Sequence, residues 1–172
     1  MTSSGATGFP EIGYSSFLHT ARGRKYKTRR PTSQEKGSHI DIILTGLKKK
    51  KRVSSITIDL KSCSSLKKCS NKWQWIELRN PAGRPGWLYD EADFIVFERK
   101  NDFVLVNRKN LVRWVNIFNK IRFDLPFVKN SWEAKYRLYK RPNKKESITQ
   151  IQVDDLLQIN ETHIWKKIKE KT

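Results

Sequence analysis

Two short segments decide the fold of this chain: Ser38-His-Ile-Asp-Ile-Ile-Leu44 and Ser55-Ile-Thr-Ile-Asp-Leu-Lys61. The second alternates apolar and polar residues, which is the pattern of a half-buried β-strand. The second segment sends three apolar residues to one face of a strand: Ile56, Ile58 and Leu60. Asp59 and Lys61 share the opposite face, because successive side chains of a strand point in opposite directions. A carboxylate and an ammonium group are therefore predicted to stand side by side.

The first segment has an apolar face of its own, formed by Ile40, Ile42 and Leu44. Asp41 projects from the opposite face, so pairing of the two predicted strands brings Asp41 and Asp59 onto one acidic surface. Two carboxylates with room for water are what Mg²⁺ or Mn²⁺ takes from a protein. A lysine such as Lys61 can orient that water or stabilise an oxyanion on phosphorus. The alternative is a strand whose outer face carries an ordinary ion pair.

A third acid follows on the third consecutive predicted strand. The segment Trp73-Gln-Trp-Ile-Glu-Leu-Arg79 alternates again and places Glu77 opposite the apolar residues. A turn rich in glycine and proline comes next, Pro81-Ala-Gly-Arg-Pro-Gly-Trp-Leu-Tyr89. An apolar segment, Ala92-Asp-Phe-Ile-Val-Phe-Glu98, completes the series.

In this order the motifs resemble the PD-(D/E)XK nuclease superfamily, and more narrowly its small restriction-endonuclease-like members from phages and mobile elements. The similarity covers roughly residues 26–115. It implies an α/β (α+β) fold with a central mixed β-sheet flanked by helices, and hydrolysis of phosphodiester bonds with Mg²⁺ or Mn²⁺. It matches Asp41 and Asp59 to the two motif acids, Lys61 to the motif lysine and Glu77 to an additional catalytic acid. DNA rather than RNA is the substrate that the resemblance implies.

The chain departs from the superfamily pattern at two positions and leaves a third open. No proline precedes Asp41, and Asp59 stands where many members carry glutamate. The superfamily often adds a glutamate from an upstream helix, for which Glu11 and Glu35 are both candidates. Cutting of both strands, or resolution of a junction, would favour a homodimer.

The charge of the chain points to a nucleic acid independently of these motifs. With 36 Lys and Arg residues against 17 Asp and Glu, the formal net charge is +19, which favours a polyanionic ligand. The first basic cluster contains Arg24, Lys25, Lys27, Arg29 and Arg30, and the second contains Lys48, Lys49, Lys50, Lys51 and Arg52. We predict that both clusters hold phosphates, although a solvated loop is the alternative for each. A third basic run covers residues 135–145.

Two alternative functions involve a nucleic-acid partner but no cleavage. One is an inactive binding protein with the nuclease fold, and the other is a basic structural nucleic-acid-binding protein.

We expect a disordered tail over residues 1–9 and one domain over residues 10–172. No apolar run approaches the ~20 residues that span a bilayer, so we expect no membrane partner and a cytoplasmic location. Cys63 and Cys69 lack the further ligands of a zinc site, and neither zinc nor a disulfide is favoured.

Periodicity predicts the remaining elements. The predicted helices cover residues 12–22, 109–121 and 154–159, and the predicted strands beyond the motifs cover 94–97, 103–106, 134–141 and 147–153. Four aromatic residues near the acids are candidates for base stacking or core packing: Trp73, Trp75, Trp87 and Tyr89. His39 is expected on the same face as Asp41.

Overall fold

The computed structural model describes residues 11–36, 39–46, 55–65, 68–117 and 120–168. The predicted tail and the second basic cluster, Lys48–Arg52, lie outside these residues. The helices are α1 (Glu11–Gly23), α2 (Ser33–Lys36), α3 (Arg108–Ile117) and α4 (Val153–Leu156). The strands are β1 (Tyr26–Arg29), β2 (Ile42–Gly46), β3 (Ser55–Lys61), β4 (Trp73–Arg79), β5 (Phe94–Glu98), β6 (Asp102–Asn107), β7 (Ser147–Gln152) and β8 (Thr162–Lys166).

Six strands form a central mixed sheet in the order β1-β2-β3-β5-β6-β8. The β3–β5 pair is parallel, and the other neighbours are antiparallel. A parallel pair needs a long crossover, which here contains β4 and a 3₁₀ turn, Trp87–Tyr89. The predicted mixed α/β class with a central mixed sheet is confirmed.

The central sheet is buried on both faces. One face packs against α1, where Phe17 contacts a cluster that includes Ile58 and Leu60. The other face packs against β4, β7 and α3 through a second cluster that includes Ile95 and Phe97. The predicted apolar face of β3 is confirmed. The predicted grouping of Ile40 with Ile42 and Leu44 is wrong, because Ile40 precedes β2 and packs with Ile43 and Ala92.

Strand β4 does not continue the central sheet after β3. It pairs with β7 in a separate two-stranded antiparallel sheet, and this places Glu77 on that second sheet. Strand β5 takes the place next to β3 instead. The reason is that a central strand is covered on both faces, which suits the uninterrupted apolar run of Phe94–Phe97. Strand β4 exposes Trp75 and Arg79, so it is suited to a sheet that has one solvent-exposed face.

The other predicted elements are confirmed in part. Helix α1, the β5–β6 hairpin and strand β7 lie where periodicity predicts them, and α3 begins at Arg108. The strand predicted over residues 134–141 is wrong, since the chain forms only isolated bridges there. Strands β1 and β8 were not predicted. None of the helices in the described part of the chain has both the length and the apolarity to cross a membrane.

The two cysteines are joined, contrary to the sequence-based expectation. Cys63 and Cys69 form a disulfide directly after β3. The backbone N–H of Cys63 donates to Glu98 Oε2 at 2.9 Å, and Lys167 Nζ binds Glu98 Oε1 at 2.7 Å. The disulfide therefore closes a short loop over a buried and fully paired glutamate on the α1 face of the sheet.

Candidate active site

The β2–β3 register brings Asp41 and Asp59 together, as the sequence predicts. Ile42 pairs with Ile58, so Asp41, directly before β2, lies across from Asp59. The Asp41 backbone N–H donates to Ile58 O at 2.8 Å. The Leu60 N–H donates to Asp41 Oδ2 at 2.7 Å. Backbone groups of β3 therefore fix both the main chain and the carboxylate of Asp41.

Asp59 is far more buried than the sequence pattern predicts. Its side chain is only 3% exposed, because its face of β3 lies on the side of the central sheet that packs against β4, β7 and α3. Lys61 Nζ contacts Asp59 Oδ1 at 2.7 Å. Asp59 Oδ2 is buried and has no hydrogen-bond partner within the described residues. The predicted Asp-x-Lys pair is thus present, with one carboxylate oxygen left without a donor.

Burial raises the pKa of both acids, and each carboxyl group also affects the pKa of the other. Burial raises the pKa of Asp59 to about 6; the Lys61 ammonium opposes this rise, and the neighbouring Asp41 charge adds to it. Burial also raises the pKa of Asp41, against the Leu60 N–H and the Lys61 charge. Two like charges in a poorly hydrated place are costly, so the pair favours a bound proton or a bound cation.

Trp87 covers the lysine of the site. The Lys61 ammonium lies 4.4 Å from the centre of the Trp87 ring, and the same ring packs edge-on against Phe97. Gly86 allows the start of this turn to pack closely on β4, because a Cβ there would stand 2.4 Å from the Glu77 carbonyl oxygen. The sequence marked Trp87 as a candidate for stacking on bases, but the contact with Lys61 became visible only in the fold.

Glu77 reaches the site through Trp87. Its Oε1 accepts the Trp87 backbone N–H at 3.2 Å, from a strand of the second sheet. Glu77 therefore lies behind the Trp87–Tyr89 turn and fixes its start. This contact makes it a positioning residue for the ring over Lys61.

The remaining candidates around the acids lie in different places. His39 is exposed, with Nε2 at 3.7 Å from Asp90 Oδ2, and its charge lowers the pKa of both Asp41 and Asp59 as a minor cause. Glu35 forms a bidentate pair with Arg29 and accepts the Thr32 N–H at 2.6 Å. It is thus engaged in its own loop. The Glu11 side chain lies outside the described residues.

The first basic cluster is partly occupied by contacts within the protein. Arg29 holds Glu35, Arg24 lies 5.3 Å from the Trp165 ring, and Arg30 lies 5.6 Å from the Tyr14 ring. Lys25 and Lys27 are exposed at the α1–β1 turn and on β1. The two lysines remain the most accessible phosphate contacts that the sequence predicts in this cluster.

The donor set suits Mg²⁺ or Mn²⁺. Asp41 and Asp59 offer hard carboxylate oxygens, and Asp59 Oδ2 is a buried acceptor without a donor. A different group, Cys63, Cys69 and Glu98, brings three potential ligand atoms close together. Its two sulfur atoms are joined in the disulfide, so it does not form a metal site. Asp41 and Asp59 are therefore the residues that would hold the ion.

Comparison with protein-family models, curated proteins and solved structures finds no match to this chain.

Proposed function

We propose that this protein is a metal-dependent nuclease that hydrolyses phosphodiester bonds in DNA, with a core like that of the restriction endonucleases. The observation that carries the proposal is the pair of adjacent acids, one directly before β2 and one on β3, with a buried oxygen of Asp59 that lacks a donor. The lysine two residues after Asp59 contacts it at 2.7 Å. An ordinary structural ion pair would satisfy both carboxylate oxygens.

In this proposal the residues have separate roles. Asp41 and Asp59 hold Mg²⁺ or Mn²⁺, which when bound lowers the pKa of a coordinated water and screens charge on phosphorus. Lys61 places a positive charge next to the same acids, where it stabilises the negative charge that develops on the phosphate. Trp87 covers Lys61 and limits its contact with water. Glu77 positions Trp87.

The charge of the protein supports a polyanionic substrate. A net charge of +19 attracts DNA to the protein. The two acids then supply the groups for catalysis on a surface that otherwise only binds phosphate. Lys25, Lys27 and the cluster Lys48–Arg52 are proposed to hold the backbone without reading sequence. A homodimer would cut both strands of a duplex or resolve a junction.

Labelled linear, nicked, forked and four-way DNA, incubated with Mg²⁺, Mn²⁺ or EDTA, test the proposal. We expect metal-dependent cleavage by the wild type and a loss on the order of 10³-fold in Asp59→Asn, Asp41→Asn and Lys61→Ala. DNA binding in EDTA should change little, because the basic residues carry the affinity. Asp154→Asn removes an exposed acid outside the site and should cleave like the wild type. Unchanged turnover in any two site variants would rule out the assignment.

A further inference from the structure

A groove of about 780 Å³ opens beside the Trp87–Tyr89 turn. Apolar residues contribute much of its lining: Leu78, Pro85 and Leu138. Three aromatic residues line it as well: Tyr89, Phe123 and Phe127. These rings are 42%, 51% and 40% exposed, respectively, so water reaches about half of each. Such a concentration of exposed rings in one concavity is typical of a binding surface.

The charge on the lining of the groove is positive. Arg79 lines it, and none of the other lining residues is acidic. Lys140 Nζ lies 5.5 Å from the centre of the Phe127 ring. Lys145 packs against Gly83, where its Cβ is 3.2 Å from the position that a glycine Cβ would take. Cations beside exposed rings match a ligand that alternates flat apolar groups with negative charges, as a nucleic-acid strand does.

The Trp87–Tyr89 turn connects the groove with the candidate active site. Trp87 contacts Lys61, and Tyr89, two residues later, lines the groove. Two successive Cα–Cα steps span less than about 8 Å, so the backbone of the groove residue Tyr89 lies within that distance of the backbone of Trp87. The turn is fixed by the hydrogen bond from the Trp87 N–H to Glu77 and by the Gly86 N–H to Leu78 O at 3.0 Å.

We propose that this groove binds an unpaired DNA segment, with bases stacked on Phe123, Phe127 and Tyr89. Arg79 and Lys140 hold the phosphates of that segment. Bases inside a duplex are already stacked on their neighbours and cannot offer their faces to the rings, so the groove selects single-stranded or frayed DNA. The inference rests on the proposed nuclease function and names its substrate class.

Binding of fluorescent DNA in EDTA tests the groove without any cleavage. The probes are a single strand of about 12 nucleotides and a hairpin duplex of equal length, within the site sizes usual for stacking proteins. Phe123→Leu with Phe127→Leu should weaken single-strand binding by about 10- to 100-fold, because leucine keeps apolar bulk but offers no ring. Duplex binding should change by less than about threefold, because its contacts are electrostatic.

Two further variants serve as controls. Phe127→Tyr keeps a ring and should retain single-strand binding. Trp132→Leu removes a 68% exposed ring that does not line the groove, and should bind both probes like the wild type. Phe123 and Phe127 are only about half buried and leucine keeps apolar bulk, so the double variant should melt close to the wild type.

Several results would overturn the inference. Leucine variants that bind the single strand normally would show that no base stacks there. If the leucine variants lost affinity for both probes equally, or if Trp132→Leu lost as much affinity for the single strand, the effect would be a nonspecific loss of DNA binding and not a loss of base stacking in the groove. A wild-type dimer that the leucine substitutions dissociate would assign the groove to a second copy. Because binding is measured without metal, a DNA-binding protein that never cleaves would instead contradict the nuclease proposal alone.

Discussion

Asp59 and Glu146 are equally buried, at 2% and 1% exposure, but their surroundings differ. Arg141 donates two side-chain hydrogen bonds to Glu146, at 2.7 and 2.6 Å, and its backbone N–H donates a third. These bonds, first among them the side-chain ones, lower the pKa of Glu146. Asp59 has one cation, a neighbouring acid and an oxygen without a donor, and its pKa is raised.

The difference shows which buried acid is structural and which is available for chemistry. A carboxylate whose oxygens are all hydrogen-bonded stabilises the fold only in its charged form. A carboxylate that is desolvated and incompletely paired favours a bound cation or proton. Solvent exposure alone does not separate the two cases: desolvation has the larger effect at Asp59, whereas the hydrogen bonds from Arg141 have the larger effect at Glu146.

Replacing each acid by its amide tests this comparison most strongly. Glu146→Gln places an amide against Arg141, so we expect the free energy of unfolding to fall by about 2–3 kcal/mol, with Arg141 half exposed and the loss reduced accordingly. The melting temperature should fall by about 5–10 °C for a chain of this length. Asp59→Asn should melt at or above the wild type in EDTA, since it removes one of two repelling charges. Thermal unfolding of the three proteins measures both effects. An equal fall in both variants would make Asp59 a structural acid.

Manganese should separate the same variants by an effect of similar size. An ion that binds only the folded protein adds RT ln(1 + [L]/Kd), or about 2.7 kcal/mol at a hundredfold excess over Kd. Saturating Mn²⁺ should raise the melting temperature of the wild type by about 5–10 °C. Glu146→Gln, although less stable, should gain as much as the wild type, and Asp59→Asn should gain little. A similar gain in Asp59→Asn would place the ion elsewhere.

The pH dependence of stability should show the smallest difference. The pKa of Asp59 rises from its ordinary value of 3.8 to about 6 on folding, so the folded state holds a proton that the unfolded state releases. The free energy of unfolding therefore falls as pH rises from about 4 to 6, by an amount on the order of 2 kcal/mol. In Asp59→Asn, without metal, this component should vanish. Urea unfolding gives the free energy of unfolding of both proteins at each pH, and the difference between the two proteins measures the contribution of Asp59. A constant difference across the range would contradict the raised pKa.

The local features of the site follow from sequence pattern, but its environment does not. Alternation predicts the side of β3 that carries Asp59 and Lys61, because side-chain direction along a strand is a local property. The same alternation misjudges exposure, since a polar face can be covered by distant parts of the chain. Here β4, β7 and the Trp87–Tyr89 turn supply the cover. The Phe123 and Phe127 groove was missed for a similar reason, although two phenylalanines around Pro126, outside any periodic segment, are a usable signal.

The sequence by itself determined the paired acids, the lysine beside them, the hairpin of β5 and β6 and the excess of positive charge. These depend on residue type and on spacing within a few positions. The tertiary structure alone decided that β5 rather than β4 lies next to β3, that Asp59 is buried, and that Trp87 contacts Lys61. Such outcomes depend on contacts between residues far apart in the chain, where burial of apolar surface outweighs local preference.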